Sequence, residues 1–183
     1  MLNVTAVSTN IELLQIHHLN QQNLKQKISE QEKKLEGFVS WLYPVELLMQ
    51  MNDLASSVIV KDDDIVVGYA LTAVKEAAAF HKDLQTMMEN LKTVTYKGMP
   101  LFSYRFYCMG QICIQKSYRG KGLFNKLYQK HKELYSHVYD ILITEISSSN
   151  VRSLEAHDKV GFKTIYTHTD QMDEWNVVVW DWK

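Results

Sequence analysis

The residues best able to do chemistry lie in two stretches of the chain, residues 111–124 and 140–162. The first begins with an apolar run, Ile112-Cys113-Ile114, breaks into a basic, glycine-bearing turn, and continues with a helical apolar pattern from about Gly122. A strand that leads through a glycine turn into a helix leaves the first helical N–H groups unpaired, at the positive end of the helix dipole. Because such N–H groups bind anions, we expect a phosphate site at this turn.

The side chains of the turn support an anion site. Lys116, Arg119 and Lys121 add positive charge, and Gly120 and Gly122 have no Cβ to hold a ligand away from the backbone. Two common phosphate loops do not fit. A Walker-type loop needs two glycines that flank four residues, followed by Lys and Ser or Thr, and a dinucleotide fingerprint needs a third glycine where this chain has Asn125.

The second stretch predicts a helix with a polar inner face. The apolar run 141–146 is followed by Ser147-Ser148-Ser149-Asn150, a cluster typical of a helix N-terminus. We expect a helix from about Val151 to Lys159 that stops at Gly161. Its inward face carries polar groups that need hydrogen-bond partners when buried, namely Asn150, Ser153 and His157.

Together the two stretches resemble the GCN5-related N-acetyltransferase (GNAT) superfamily. Arg119-x-x-Gly122 followed by a helix is similar to the pyrophosphate loop of that family, with Phe124 where Gly or Ala is usual. Asn150-x-x-Ser153-x-x-x-His157-x-x-x-Gly161-Phe162 is similar to a second family signature, with His157 where Tyr is usual. Some branches that acetylate small molecules also carry His at that position.

The resemblance implies acetyl-coenzyme A as the co-substrate. Backbone groups of residues 112–114 would pair with the pantetheine arm, the glycine turn would hold the diphosphate, and Asn150 would contact the arm or the diphosphate. The implied cofactor-binding residues are Ile112, Cys113, Ile114, Arg119, Gly120, Lys121, Gly122, Leu123, Phe124, Asn125, Asn150 and Ser153.

Two residues are catalytic candidates by the same resemblance. Amide formation from a thioester needs a group that receives the amine proton. Glu145 lies five positions before Asn150, and in some branches, including ribosomal-protein N-terminal acetyltransferases, a Glu at this offset is the base. The alternative is a structural carboxylate bonded to nearby N–H groups. His157 stands where the family often has a general acid, and its alternative is a histidine that packs in the core.

An acyl-cysteine route has little support, because neither Cys108 nor Cys113 has an adjacent His to activate it. The two cysteines lie five positions apart on one predicted strand, so we expect them to point to opposite faces, which disfavours a disulfide. The remaining histidines are dispersed without metal-ligand spacing, and no metal is predicted.

The elements that must position these residues point to one domain, residues 1–183, with an N-terminal helical part at about 9–54 and a cofactor-binding core at about 101–162. Thr9-Asn10-Ile11-Glu12 is a capping box, and residues 21–36 predict a solvated surface helix or, alternatively, a partner-binding one. The resemblance implies an α/β (α+β) fold, with a mixed, mostly antiparallel sheet of about six or seven strands flanked by helices. Parallel, splayed central strands would form the cofactor cleft.

The acceptor side carries no motif. We expect Trp41, Tyr43, Tyr104 and Gln111 to contribute to it, with core packing as the role of Trp41 or Tyr43. A small-molecule amine, a peptide N-terminus and a lysine all stay open as the acceptor.

Charge and hydropathy limit the partners. The net charge is −1 and the isoelectric point about 6.6, so no global basic field favours nucleic acid. The chain has neither a signal-peptide pattern at residues 1–8 nor an apolar run of membrane-spanning length, which predicts a cytoplasmic protein without a membrane partner. A homodimer is left open. Two function classes follow: an acetyltransferase that works in a ternary complex, and a catalytically silent, regulatory module that binds coenzyme A.

Overall fold

A seven-stranded mixed sheet forms the centre of the protein in the computed structural model, which describes residues 1–171 and 173–183. Its strands lie in the order β1-β2-β3-β6-β7-β9-β8, and every neighbouring pair is antiparallel except β6 and β7. The strands are β1 (Leu2–Ala6), β2 (Val58–Asp62), β3 (Ile65–Ala73), β6 (Phe106–Ile114), β7 (Ile141–Ser147), β8 (Lys163–Thr169) and β9 (Glu174–Asp181), with β4 (Thr95–Tyr96) and β5 (Met99–Pro100) in a separate hairpin.

Helices cover both faces of the sheet. The helices are α1 (Asn10–Gln22), α2 (Glu30–Glu36), α3 (Val45–Leu54), α4 (Lys82–Leu91), α5 (Leu123–Tyr135) and α6 (Val151–Val160). Buried side chains of α1, α3 and α4 share one apolar cluster with the sheet, while α5 and α6 pack on the opposite face, around Tyr128 and Phe162. The α/β fold predicted from the resemblance, a mostly antiparallel sheet of six or seven strands flanked by helices, is confirmed.

The N-terminal helical region differs in part from its prediction. The capping box at Thr9 forms as expected, with Glu12 N–H donating to the Thr9 hydroxyl at 3.3 Å. The continuous helix predicted over residues 21–36 is wrong, because α1 ends at Gln22 and the chain turns before α2 begins. A second capping box, between Ser29 and Glu32, starts this new helix. Helix α2 then lies against α6, beside the glycine turn.

The parallel strands β6 and β7 separate along their length. They pair at Phe106–Ile141, Tyr107–Leu142 and Cys108–Ile143. One further link follows, in which the Thr144 hydroxyl donates to the Met109 carbonyl oxygen at 3.1 Å. Beyond it the strands splay, so a gap opens toward the glycine turn at the end of β6 and the start of α6 at the end of β7.

A β-bulge lies in β6 beside this gap. Ala70 pairs with Ile112 and Thr72 with Met109, so two residues of β6 stand opposite one residue of β3. The extra residue inverts the alternation of faces. Cys108 and Cys113 therefore belong to the same apolar cluster, and the expectation that they face opposite sides is wrong. Both are free thiols.

Candidate active site

The glycine turn has the backbone geometry of an anion site. A short 3₁₀ turn, Lys116–Tyr118, follows β6, and Gly120 and Gly122 both have φ of 73°. Only glycine adopts this left-handed conformation without strain. Gly122 is the N-cap of α5 and no side chain caps the helix, so the first N–H groups of α5 are left to a ligand.

A cavity of about 270 Å³ joins this turn to the gap between the strands. It brings together ten of the twelve predicted cofactor-binding residues, which are Ile112, Cys113, Ile114, Arg119, Gly120, Gly122, Leu123, Phe124, Asn150 and Ser153. Lys121 and Asn125 lie outside its lining and are exposed. The segment 36–39 forms its opposite wall. A second cavity of about 470 Å³ adjoins it and shares Asn23, Glu36, Gly37 and Arg119.

Phe124 leaves the cavity open although it is larger than the Gly or Ala usual in the family. Its ring packs edge-on against Tyr128 and His157, with centroids 5.2 Å and 5.0 Å away. This contact turns much of the ring toward the apolar cluster of α5 and α6. The bulky residue is therefore compatible with a ligand in the cleft.

Arg119 is bonded on all three of its nitrogens. Nε donates to the Ile114 carbonyl oxygen at 2.8 Å, Nη1 to Glu36 Oε2 at 2.9 Å, and Nη2 to Asn23 Oδ1 at 2.7 Å. Lys116 pairs with Glu32 at 2.9 Å, and Glu32 lies on α2 as Glu36 does. Arg119 and Lys116 thus connect the end of β6 to α2 and to the residue that follows α1, and their charges are already paired.

Asn150 links α6 to the opposite wall of the cavity. It is 6% exposed, its Oδ1 accepts from the Ser153 N–H at 3.3 Å, and its Nδ2 donates to the Phe38 carbonyl oxygen at 3.0 Å. Gly37 makes this approach possible, because a Cβ there would lie 3.0 Å from Asn150 Oδ1 and its φ is 74°. The predicted N-cap therefore also fixes the segment 36–39 over the cleft.

His157 is enclosed and neutral. It is 2% exposed; its Nδ1 donates to the Ser153 carbonyl oxygen at 2.7 Å, and its Nε2 accepts from the Tyr128 hydroxyl at 2.6 Å. Burial lowers the pKa of His157 to about 4. A general acid needs a proton aimed at the leaving group, whereas both ring nitrogens are engaged here. The geometry favours the packing alternative for this residue.

Glu145 lies on the β7 side of the gap, on the sheet face that carries α1 and α3. Its side chain is 15% exposed, and Oε1 is 3.1 Å from Nε2 of His168 on β8. Burial raises the pKa of Glu145, and the hydrogen bond from His168 opposes that shift. A carboxyl group with a raised pKa is suited to exchange protons near neutral pH.

The four candidate acceptor residues do not form one group. Tyr43 is 2% exposed and its hydroxyl donates to the Gly110 carbonyl oxygen at 3.0 Å, so it supports the bulge in β6 rather than facing a substrate. Gln111 donates to the Trp41 carbonyl oxygen at 2.8 Å and accepts from the Tyr69 hydroxyl. The half-buried Trp41 packs on Tyr43.

Tyr104, the fourth, precedes β6 at the end away from the gap, and its hydroxyl donates to the Tyr96 carbonyl oxygen at 3.0 Å. Tyr104 is therefore remote from the glycine turn, while Trp41 and Gln111 lie beside the bulge.

Sequence reasoning did not find Glu36, Asn23 or His168 as parts of the site. The first two reach Arg119 from the N-terminal helical region. His168 reaches Glu145 across an intervening strand. The polar pattern of residues 21–36 was a signal for the α2 contacts, whereas the contact of His168 depends on strand order alone.

Within the described residues, no group of three or more His, Cys, Asp and Glu side chains is placed to hold a metal ion. Each helix in that same part of the chain is too short or too polar to cross a lipid bilayer.

The fold is similar to that of solved structures that include acetyltransferases. The ribosomal-protein-S18-alanine N-acetyltransferase from Escherichia coli is 12% identical, with a TM-score of 0.63 over 99% of this chain and 94% of that one. A chain of the NatC complex bound to Gag peptide and CoA is 11% identical, with a TM-score of 0.67 over 100% and 99%. The putative acetyltransferase YncA from Salmonella typhimurium, solved with its cofactor acetyl-CoA, is 12% identical, with a TM-score of 0.63 over 100% and 94%.

At these identities the structures show the fold alone, and curated proteins give no match. The family is shown by sequence, since residues 19–162 match the model of the acetyltransferase (GNAT) family. That match spans most of the chain and includes the glycine turn, Glu145 and Asn150. The protein therefore belongs to the acetyltransferase (GNAT) family.

Proposed function

We propose that the protein is an N-acetyltransferase that moves an acetyl group from acetyl-coenzyme A to a primary amine by direct attack in a ternary complex. The observation that carries this proposal is the placement of Glu145. A largely buried carboxyl group lies beside the gap between β6 and β7, and the uncapped start of α5 lies at the mouth of the same gap. A thioester donor and an amine acceptor need these two features together.

The chain has the groups that acetyl-coenzyme A would need. When bound, this co-substrate supplies an activated acetyl group as a thioester. Backbone N–H groups from Gly120 to Asn125 would hold its diphosphate, and the unpaired strand edge at residues 112–114 would receive its pantetheine arm. The cavity along these residues supports the assignment.

Glu145 would act as the base for the amine. An attacking amine must be neutral, and it loses a proton as the new C–N bond forms. A carboxylate on the strand beside the gap can take that proton directly or through a water. The departing thiol has an ordinary pKa of about 8.5, so its thiolate needs little assistance at neutral pH. The chemistry therefore does not require an acid at His157.

Buried thiols make a covalent acyl-cysteine route unfavourable. Burial raises the pKa of Cys113 to about 12 and that of Cys108 further still. Neither thiol is then ionised at neutral pH, and a thiolate is the nucleophilic form. This favours direct attack by the amine.

The acceptor class is open, and the fold neighbours suggest where to begin. One is named for the alanine of ribosomal protein S18, and another was solved with a Gag peptide. A panel of candidate amines for turnover assays therefore begins with peptides that have a free α-amino group. Lysine peptides, polyamines, aminoglycosides and amino acids follow. A cytoplasmic location remains a prediction from the sequence, and a homodimer remains open.

The test combines binding and turnover. Calorimetry with acetyl-coenzyme A should show saturable binding, and thiol release should rise with at least one amine class. If no heat of binding is seen, the cleft does not hold this co-substrate and the proposal fails.

A silent module that binds coenzyme A is the second candidate. It is favoured by the pairing of Arg119 and Lys116 with carboxylates of α2, and by the engaged ring of His157. Tight binding of coenzyme A without turnover of any amine in the panel would select it.

A further inference from the structure

His168 and Glu145 meet across an intervening strand. Glu145 on β7 pairs with Val177 on β9, and His168 on β8 pairs with Trp175 on β9. Val177 and Trp175 are two positions apart, so all four side chains lie on one face of the sheet. The side chains of His168 and Glu145 meet above β9, with His168 Nε2 and Glu145 Oε1 3.1 Å apart.

The groups around Glu145 and the low exposure of its side chain both affect the pKa of its carboxyl group. The Glu145 and His168 side chains are 15% and 16% exposed. In the part of the chain that the structure describes, Asp170, just after β8, and Cys108, on β6, also lie near Glu145. Burial and the negative charge of Asp170 both raise the pKa of Glu145, and the hydrogen bond from His168 opposes them. Cys108 stays a neutral thiol, because burial raises its pKa.

We propose that His168 is a positioning residue for Glu145, holding Oε1 so that Oε2 receives the proton of the attacking amine. This inference rests on the proposed function. An ionised carboxylate can only accept, so Nε2 of His168 carries the hydrogen. The amine proton moves to Oε2 as the N–C bond forms and the C–S bond breaks; the thiolate leaves, and the proton then passes from Glu145 to solvent.

A pair of variants separates positioning from structural support. His168→Gln keeps an N–H donor at the end of the side chain but does not titrate, whereas His168→Phe fills the space without a donor. His137→Phe, in the exposed turn after α5, is the matched control for loss of a histidine. Thermal unfolding of each variant shows whether the fold is kept.

The first measurement is the pH dependence of kcat and of kcat/KM with an amine that the wild type acetylates. His168→Phe should lose about ten- to a hundredfold in kcat at neutral pH, the range expected when a hydrogen bond to a charged group is removed. Its acidic limb should move to higher pH. His168→Gln should stay within about threefold of the wild type. A His168→Phe variant with the kcat and pH profile of the wild type overturns the inference.

The second measurement does not depend on turnover. In protein labelled with ¹³C at glutamate carboxyl groups, the Glu145 signal is identified by its loss in Glu145→Gln. Its pKa should be higher in His168→Phe than in the wild type. An unchanged titration overturns this inference even if the wild type acetylates an amine. A raised pKa in a protein that acetylates no amine supports the pairing and overturns the proposed function.

Discussion

The guanidinium of Arg119 and the carboxylate of Glu36 form an ion pair, with Nη1 and Oε2 at 2.9 Å, in the wall shared by the two cavities beside the glycine turn. Arg119 is therefore held by α2 while the backbone of the turn stays free. A diphosphate bound at the turn would lie close to Glu36, and their like charges would repel each other.

The first prediction concerns this repulsion. Glu36→Gln removes the charge and keeps a hydrogen-bond acceptor for Arg119, so coenzyme A should bind about three- to tenfold more tightly, in keeping with about 1 kcal/mol for a partly exposed charge interaction. Calorimetry at low and moderate salt measures the change, which should shrink as salt rises. Glu133→Gln, whose carboxylate pairs with Lys130 on α5, is the control. Weaker binding by Glu36→Gln would show that the ion pair supports the cofactor site instead.

The second prediction concerns the base. Glu145→Gln should lower kcat by about a hundredfold or more, because general bases contribute about 10² to 10⁴ in rate. Its affinity for coenzyme A should stay near that of the wild type, since the diphosphate and the carboxyl group lie in different parts of the cleft. Initial rates of thiol release and calorimetry provide the two values. Equal rates for the two proteins would leave Glu145 as a structural carboxylate.

The third prediction assigns His157 and Tyr128 to stability. Tyr128→Phe leaves Nε2 of His157 buried without a donor, which should cost about 1 to 3 kcal/mol in the free energy of unfolding. Urea denaturation measures this loss. The rate with a good acceptor should fall less than tenfold, much less than in Glu145→Gln. A large loss of kcat with an unchanged free energy of unfolding would restore the acid role predicted for His157.

The fourth prediction follows from two buried histidines. Burial lowers the pKa of both His131 and His157 to about 4, and His131 is bonded to the Tyr107 hydroxyl and the Ala70 carbonyl oxygen. In the unfolded chain a histidine has a pKa of about 6.5, so the unfolded state binds more protons and the free energy of unfolding falls as pH drops from about 6.5 toward 4.

Between pH 7.5 and pH 5 each histidine should remove about 2 kcal/mol from the free energy of unfolding. Urea denaturation at the two pH values gives the difference. His131→Gln should reduce this dependence on pH, although it destabilises the protein at both values. His137→Gln, in the exposed turn after α5, should leave the dependence unchanged. The same slope in His131→Gln and the wild type would contradict the account.

Local patterns were sufficient to predict the elements around the cleft. Gly120 and Gly122 lie where the backbone needs positive φ, and Asn150 caps α6, because glycine freedom and N-capping act over a few residues. The faces of Cys108 and Cys113 were predicted wrongly, because a bulge changes the alternation and depends on pairing with β3.

These local patterns did not predict contacts between residues that are far apart in the sequence. Glu36 meets Arg119 because the chain turns after Gln22, and His168 meets Glu145 because β9 lies between β7 and β8. Tyr43 was an acceptor candidate by its type, yet its hydroxyl supports Gly110. These placements follow from tertiary packing, which is poorly predicted from a single sequence.

The splay between β6 and β7 divides the sheet into a four-stranded half, β1-β2-β3-β6, and a three-stranded half, β7-β9-β8. The halves are joined at the narrow end by three residue pairs and the Thr144 bond. We therefore expect local opening to occur more readily at the other end of the two strands. A molecule that forms hydrogen bonds with the unpaired edges of both β6 and β7 would hold the two halves together. Slower amide hydrogen exchange should then spread beyond the cleft into strands that the molecule never touches.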